Sequence, residues 1–283
     1  MGGEWREMTI GEVCYVTDGA HSKVERVDNG LMYLTSKNIG DGKLKLDKFD
    51  LISEASFKKL FTDTKKSQRR LRAGDVLMGI IGTFGNCYVY KDNDTFGISS
   101  SVAILRPDRN LILSEYLYYV ISSVKFKAIV EKFKGGSVQG YTNISTIKAL
   151  PIAVPSLQEQ SKIVELLKPN DDKIQLNEQT NQTLEQMAQA LFKSWFVDFD
   201  PVIDNALAAG HTLPAELQHR VAVRQKAHAL QQNNPKLSPL PKSTQALFPN
   251  EFEHCGDPTL GIHGWIPKGW RASNLSNLAE AIS

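Results

Sequence analysis

The sequence contains few residue groups whose types and spacing could support catalysis. The glycine cluster at 79–85 is the nearest approach to a phosphate-binding loop, but it lacks the lysine that would reach the phosphates. His254, Cys255 and His263 are metal-binding residue types, but no fourth ligand follows at a recognisable spacing. Neither HExxH nor GxSxG occurs. We therefore predict no catalytic site, no metal and no cofactor.

A basic run, KKSQRRLR at 65–72, offers chemistry of a different kind, namely phosphate binding. It lies in the more basic part of the chain. Residues 1–150 contain 22 Lys and Arg against 17 Asp and Glu, whereas residues 151–283 contain 11 against 14. A basic domain favours a polyanion such as nucleic acid, although a solvated charged face explains any single run equally well.

The composition is that of a globular protein from a reducing compartment. The chain is 41% apolar and 23% charged, which favours roughly two folded domains over disorder. Its three cysteines are scattered and form no CxxC, which argues against disulfides and zinc knuckles. No apolar run approaches the ~20 residues of a membrane span, and the N-terminal residues do not resemble a secretory signal. We expect a cytoplasmic protein without a membrane partner.

The pattern of residues 1–154 predicts a strand-rich domain with a few helices. Alternating apolar stretches stop at the turn signals 17–19 and 40–42, and a glycine-rich connection at 82–86 joins two apolar strands. A short helix is predicted at 53–65, and a longer one at 114–134 with Ser114 as its N-cap.

Residues 156–199 carry a seven-residue repeat with apolar ends and an Asn-rich middle. This pattern is typical of a helix that wraps a partner helix, and buried Asn at such positions fixes register at a cost in stability. A helix of a globular core is the alternative, but the polar middle favours a coiled-coil arm. The repeat, which we call the seam, consists of Ile163, Leu167, Asn170, Ile174, Asn177, Asn181, Leu184, Ala188, Leu191 and Trp195.

Pro169 interrupts this stretch, because proline lacks the amide proton that a helix interior requires. Acidic Asp171 and Asp172 directly after it favour a new N-terminal turn. We therefore predict two helices, 156–168 and 169–199, broken or kinked at Pro169. Ser156 is the expected N-cap of the first, and Pro201 is expected to stop the second.

The remaining residues divide into two segments. Residues 201–264 predict an irregular connector with one surface helix, because proline and polar residues dominate its second half. The stretch that begins at Trp270 repeats the pattern of the stretch that begins at Trp5, with Trp-Arg followed by apolar-polar alternation. If this repeat is genuine, a second copy of the first domain begins at about 265 and occupies 265–283.

Taken together, these segments resemble specificity subunits of type I restriction-modification systems. The sequence LPIAVPSLQEQ at 150–160 is similar to the junction at which a target recognition domain of that family enters a long helix. The other segments that carry the resemblance are 74–77, 100–107 and 135–139 in the first domain, 171–177 and 190–202 in the helix, and 247–249 and 266–270 in the tail.

The resemblance implies an α+β protein, with a strand-rich target recognition domain followed by a long helical coiled-coil arm. The implied divisions are a DNA-binding domain at 1–154, a spacer arm at 155–200, a connector at 201–264 and the start of a second recognition domain at 265–283. The family's subunit has two recognition domains and two antiparallel spacers, whereas this chain has one of each. It would be a truncated chain or a natural half-subunit, and a half-subunit would need a partner.

The resemblance further implies a non-catalytic subunit that reads one half of a bipartite target in double-stranded DNA. Modification subunits would dock on the arm, supply methyl transfer and its cofactor, and connect the chain to the restriction subunit. Self-dimerisation through the arm is a further expectation. The arm residues expected at these contacts are Ile163, Leu167, Ile174, Asn177, Asn181, Leu184, Leu191 and Trp195.

The residues that we expect to bind DNA lie in predicted loops. Lysine and arginine suit phosphates, whereas arginine, asparagine and glutamine suit base edges. For each of them, a polar loop residue that meets only water is an equal alternative. The predicted set is His21, Ser22, Lys23, Ser36, Lys37, Asn38, Arg69, Arg70, Arg72, Thr83, Asn86, Gly136, Ser137 and Gln139.

Two other classes of function remain open from the sequence. A coiled-coil scaffold or protein-binding module with a strand-rich head would bind protein but not DNA. An enzyme whose motif is not visible would show metal-dependent activity by itself.

Overall fold

A computed structural model of the chain describes residues 5–21, 24–64, 68–82, 84–133, 143–234 and 240–271. The chain divides into two compact units, unit 1 (Met1–Lys173) and unit 2 (Ile174–Ser283). Strands and helices are mixed along unit 1, and a long helix follows the strand-rich part. This arrangement confirms the predicted α+β class.

The described strands of unit 1 form three small sheets. Four strands pair in the order β2-β8-β5-β6, three in the order β4-β3-β7, and β1 pairs with β9. All of these pairs are antiparallel except β3 with β7. The strands are β1 (Arg6–Thr9), β2 (Cys14–Asp18), β3 (Arg26–Leu34), β4 (Asp50–Ile52), β5 (Val76–Gly79), β6 (Cys87–Val89), β7 (Phe96–Ile98), β8 (Val102–Pro107) and β9 (Pro151–Val154).

The four-stranded sheet separates two hydrophobic cores. Side chains alternate between the faces of a strand, so neighbours in β5 enter different cores. Val76 and Met78 pack into one core, whereas Leu77 between them packs into the other. Ile104 and Leu105 of β8 divide in the same way. Burial on both faces explains why these strands are continuous apolar runs.

Short helices pack on one face of the four-stranded sheet, and another short helix packs against β3 of the three-stranded one. Ser53 caps α2 as an acceptor from the Ser56 amide at 3.2 Å, which places the predicted short helix. The helices are α1 (Ile10–Val13), α2 (Glu54–Leu60), α3 (Ser114–Ser122), α4 (Val124–Phe133) and α5 (Ile144–Ala149).

The single helix predicted at 114–134 is in fact two helices, α3 and α4. Ser123 has an extended backbone, and its hydroxyl donates to the Val120 carbonyl at 2.6 Å and accepts from the Phe126 amide at 3.1 Å. A serine that bonds its neighbours' backbone in this way competes with helix continuation and caps the next helix instead. The N-cap of α3 is Leu113, not Ser114 as predicted.

The long helix α6 (Leu157–Phe192) corrects the predicted break at Pro169. Its start is as predicted: the Ser156 hydroxyl accepts from the Glu159 amide, and the Glu159 carboxylate accepts from Ser156. Pro169 lies inside the helix, which continues through it. The Asn170 side chain donates to the Leu166 carbonyl at 3.1 Å, so a side-chain donor is supplied in the turn where proline removes a backbone donor.

The first turns of α6 are fixed to unit 1. The Gln160 side chain is fully buried, accepts from the Leu113 amide at 2.8 Å, and donates to the Leu111 and Pro155 carbonyls at 2.9 Å each. Ile163 packs against the core nearby. These contacts hold the base of the helix against the loop before α3.

Beyond α6, the described part of unit 2 contains helices and a small antiparallel hairpin. The end of α6 winds into a π-helical turn, Lys193–Val197. Pro201 does not simply stop a helix as predicted, because it occupies the first turn of α7 (Asp200–Ala208). Arg224 of α8 (Gln218–Gln232) pairs with Asp204 of α7 at 2.5 Å. A short helix, α9 (Lys242–Gln245), precedes the antiparallel hairpin of β10 (Phe252–His254) and β11 (Trp265–Pro267).

Candidate nucleic-acid interface

The strand pairing brings several predicted loops to one end of unit 1. The end of β2 pairs with the start of β8, because Asp18 lies opposite Ala103, and the end of β5 pairs there too. The three-stranded sheet joins this end, since the Ala20 backbone forms a bridge with Ser99 just after β7. We call the described residues of 19–21, 35–49, 80–86 and 99–101 the loop end.

Arg69 and His21 meet at Asp18, on the border of the loop end. The Arg69 Nε donates to the Asp18 carbonyl at 3.0 Å, and its guanidinium lies 3.5 Å from the Asp18 carboxylate. His21 Nε2 lies 2.7 Å from the same carboxylate. The side chain of Arg69 keeps 30% of its surface exposed. Part of its charge is therefore balanced by Asp18, and part faces solvent.

Ser36 and Asn38 are buried, and they shape the loop end from inside. The Ser36 amide donates to the Ser101 hydroxyl at 2.9 Å. The Asn38 side chain accepts from Thr35 and donates to the Lys45 and Lys48 carbonyls at 2.9 and 2.7 Å. Because these bonds use both ends of the amide, Asn38 is committed to the protein's own backbone.

The segment that Asn38 holds carries lysines that the sequence analysis did not select. Lys45 and Lys48 are exposed, as is the predicted Lys37, and none of the three has an ion pair within the described ranges. All three line an open cleft of about 500 Å³. The close spacing of Lys43, Lys45 and Lys48 could have indicated this segment from the sequence alone. The denser basic run at 65–72 was selected instead.

Asn86 completes the described part of the loop end. Its side chain donates to the Ile39 carbonyl at 3.4 Å, and its carbonyl accepts from the Gly79 amide at 3.0 Å. Asn86 is half-buried and links the glycine-rich turn to the start of the lysine segment. The remaining predicted loop residues, namely Ser22, Lys23, Thr83, Gly136, Ser137 and Gln139, lie outside the described residues.

Arg70 and Arg72 are separated from this end of the unit. Arg72 donates to the Asp63 carboxylate at 2.7 Å, and its amide donates to Asp75, which precedes β5 at the opposite end of the sheet. Burial tends to raise the pKa of Asp63, but hydrogen bonds from Arg72 and the Arg70 amide outweigh it and lower that pKa. Arg70 lines a separate cleft beside Phe96, where β7 begins. The basic run therefore has Arg69 at the loop end of the sheet and Arg70 and Arg72 at the opposite end.

The seam of α6 is largely exposed within the described part of the chain. Ile174, Leu184 and Leu191 each expose at least half of their surface, and Leu167 exposes 37%. Asn177 and Asn181 are also exposed. Trp195 is half-buried and packs edge-on against Phe248 at 5.6 Å. Exposed apolar residues therefore recur along the seam on both sides of Asn177 and Asn181.

A comparison with known protein families decides which family the chain represents. Residues 2–186 match the type I restriction modification DNA specificity domain. The chain belongs to this family. The match covers all of unit 1 from residue 2 onward and the α6 seam as far as Leu184, so it includes both the loop end and most of the helix.

Several type I restriction enzyme specificity subunits are similar to this chain. The chain is 31% identical over 292 aligned residues to the HindI specificity subunit of Haemophilus influenzae, and the alignment covers 99% of this chain and 61% of that subunit. It is 35% identical over 106 residues to the MjaIX specificity subunit of Methanocaldococcus jannaschii, over 38% of this chain and 24% of the other. The chain thus spans 61% or less of the length of these relatives.

Solved structures of specificity subunits are also similar. The HsdS subunit from Thermoanaerobacter tengcongensis aligns at 24% identity and a TM-score of 0.42, over 68% of this chain and 44% of that one. The S subunit of a type I system from M. genitalium aligns at 19% identity and a TM-score of 0.49, over 68% and 46%.

Two further observations concern metal sites and membrane-spanning helices. No cluster of three or more His, Cys, Asp or Glu residues within them is arranged to hold a metal ion. None of the described helices combines the length and apolar character needed to span a membrane.

Proposed function

We propose that the chain is a non-catalytic, DNA-reading specificity subunit that contacts one half of a bipartite target through its loop end. In this proposal residues 1–154 are the recognition domain, 155–200 the arm, 201–264 the connector and 265–283 the start of a second recognition domain. The observation that carries the proposal is the meeting of loops with unpaired lysines at one end of a domain that belongs to a DNA specificity family.

The loop end has the chemistry that DNA binding requires. Lys37, Lys45 and Lys48 supply positive charge that no described carboxylate neutralises by an ion pair, and phosphate contacts of this kind dominate affinity. Arg69 has a partly exposed guanidinium, and Asn86 in the glycine-rich turn has a side-chain amide with a donor and an acceptor, so both could read base edges. Ser22, Lys23, Thr83, Gly136, Ser137 and Gln139 remain part of the proposed set.

The exposed seam of α6 is the proposed docking surface for modification subunits. These subunits would supply methyl transfer and would connect the chain to a restriction subunit. Support comes from the exposure of Leu184 and Leu191, since a partner that covers them removes apolar surface from water. A complex of a type I system is among the solved structures similar to this chain.

Self-pairing through the same seam is a second candidate role for α6. Reversing the seam about the midpoint between Asn177 and Asn181 matches Asn with Asn and Ile174 with Leu184. Leu167 then lies opposite Leu191. At these positions an antiparallel homodimer would bury apolar against apolar and amide against amide, while Asn170 would lie opposite Ala188. A molecular mass in solution equal to that of a homodimer would support self-pairing through the seam, and the mass of a monomer would exclude it.

The experiment that tests the proposal is DNA binding by the purified chain, with and without matching modification subunits, at two salt concentrations. We expect salt-sensitive binding that becomes sequence-selective when the modification subunits are present. Absence of DNA binding in every condition, with stable self-assembly, would contradict it and support the scaffold alternative. Metal-dependent turnover by the chain alone would support an enzyme instead.

A further inference from the structure

The cleft at the loop end combines unpaired cations with an exposed aromatic ring. It is lined by Lys37, Lys45 and Lys48, by Phe49, and by Tyr33 at its base. Phe49 leaves 42% of its surface exposed, whereas Tyr33 is buried. A partly exposed phenyl ring beside lysines suits a ligand that has both apolar and anionic parts.

The charge balance of the cleft favours an anion. Its two lining carboxylates are Asp47 and Asp50, and Asp50 is occupied by Arg26, whose Nε donates to it at 2.7 Å. Asp47 has no ion pair within the described ranges. Three lysines therefore face one unpaired carboxylate in a space of about 500 Å³.

The cleft is also held in shape before any ligand arrives. Asn38 donates to the Lys45 and Lys48 carbonyls, and the Lys45 amide donates back to the Asn38 carbonyl at 2.8 Å. The Gly42 amide donates to the Cys87 carbonyl at 2.9 Å, which ties the same segment to β6. A site that is fixed in advance loses less conformational entropy on binding.

We propose that this cleft grips the sugar–phosphate backbone of one DNA strand, with the three lysines on phosphates and Phe49 against a deoxyribose. The inference rests on the proposed function and adds a specific contact to it. Deoxyribose has an apolar face and its phosphates are anionic, which matches the ring and the lysines. A contact of this kind sets affinity and position, not sequence.

The segment supplies a matched control for Phe49. Leu46 has the same exposed fraction, 42%, but does not line the cleft. Lys59 of α2 is an exposed lysine outside the cleft and serves as the control for Lys45. All four side chains are exposed, so substitutions at them should leave the fold intact, which a thermal melt of each variant checks.

The experiment measures binding of the full chain to a duplex that contains its target, by fluorescence anisotropy over a series of salt concentrations. Phe49→Ala should weaken binding about three- to tenfold with an unchanged salt slope, because it removes an apolar contact. Lys45→Gln should reduce the slope by about one. Asp47→Asn should tighten binding at low salt, because it removes the one unpaired carboxylate.

Two results would overturn the inference in different ways. If wild type binds DNA but Phe49→Ala matches Leu46→Ala and Lys45→Gln matches Lys59→Gln, the cleft is not a backbone site, and the proposed function stands. If wild type binds no DNA at all, the cleft inference and the proposed function fail together. Competition by an acidic polypeptide that is stronger than by duplex DNA would also overturn it, in favour of a protein ligand.

Discussion

Single side chains at the loop end divide into those that are exposed and those that hold the exposed ones in place. Lys45 and Lys48 present charge, whereas Asn38 fixes the backbone that carries them. Arg69 does some of both, since Asp18 orients it while part of the guanidinium remains exposed. Residue type alone does not separate these roles, because exposure and bonding partners depend on the fold.

Arg69 and Arg72 allow a direct test of this division. Arg69→Gln should weaken DNA binding and lower the salt slope by about one, because it removes a cation beside the loop end. Arg72→Gln should leave the slope unchanged, because Arg72 pairs with Asp63 at the opposite end of the sheet. Salt-dependent anisotropy titrations of both variants measure this. Equal slopes for the two variants would contradict it.

The sequence pointed to some of these residues but not to their grouping. Lys37 and Asn86 were selected from loop positions, and both lie at the loop end. The basic run was treated as one patch. In the structure Arg69 bonds to Asp18 at one end of the four-stranded sheet, whereas Arg72 bonds to Asp75 at the other end. Lys45 and Lys48 were missed, because only the fold shows that Asn38 places them on one cleft.

At the scale of elements, the base of α6 depends on one buried amide. Gln160 makes three hydrogen bonds to the backbone around Leu113 and Pro155. Beyond Pro169, burial and the nearby Asp171 carboxylate of α6 raise the pKa of Tyr119 in α3. The first turns of α6 are therefore fixed by side chains, not by the short connection alone.

Gln160→Met should destabilise unit 1 by about 2–4 kcal/mol, because it leaves one backbone amide and two carbonyls without partners in a buried site. Gln158→Met, two residues earlier and exposed, should change the free energy of unfolding by less than about 0.5 kcal/mol. Urea unfolding followed by circular dichroism provides both values. Similar losses for the two variants would refute the anchoring role of Gln160.

Pro169→Ala tests the continuity of α6 directly. If the helix runs through this position, alanine restores an amide donor for the Glu165 carbonyl and should stabilise the helix, by up to about 3 kcal/mol. Helical ellipticity and the melting temperature should both rise. A fall in either would show that proline is needed for a break or a specific bend at this point.

The elements were predicted better than their ends. The seam and the Ser156 cap were sufficient to place the start of α6, and the glycine-rich connection at 82–86 was sufficient to place β5 and β6. The predicted break at Pro169 was wrong because a helix can accommodate one proline when packing and hydrogen bonds stabilise the turns on either side. The division at Ser123 was missed because serine hydroxyl bonds compete with a helix only in the right geometry.

At the scale of the whole molecule, one chain carries both the proposed recognition surface and the proposed docking surface. Leu184→Asp with Leu191→Asp should abolish co-purification with modification subunits, because it places two charges on the exposed seam. Binding of DNA by the chain alone should be retained, since both residues lie outside unit 1. Continued assembly with modification subunits would exclude the seam as the docking surface.

The central claim is that the loop end is the face of unit 1 that meets DNA. The most direct measurement is lysine acetylation of the chain with and without a target duplex, with each site quantified by mass spectrometry. We predict that DNA protects Lys37, Lys45 and Lys48, while Lys59 and Lys91 react equally in both samples. Protection of Lys59 or Lys91 with unchanged reactivity at the three cleft lysines would contradict the account.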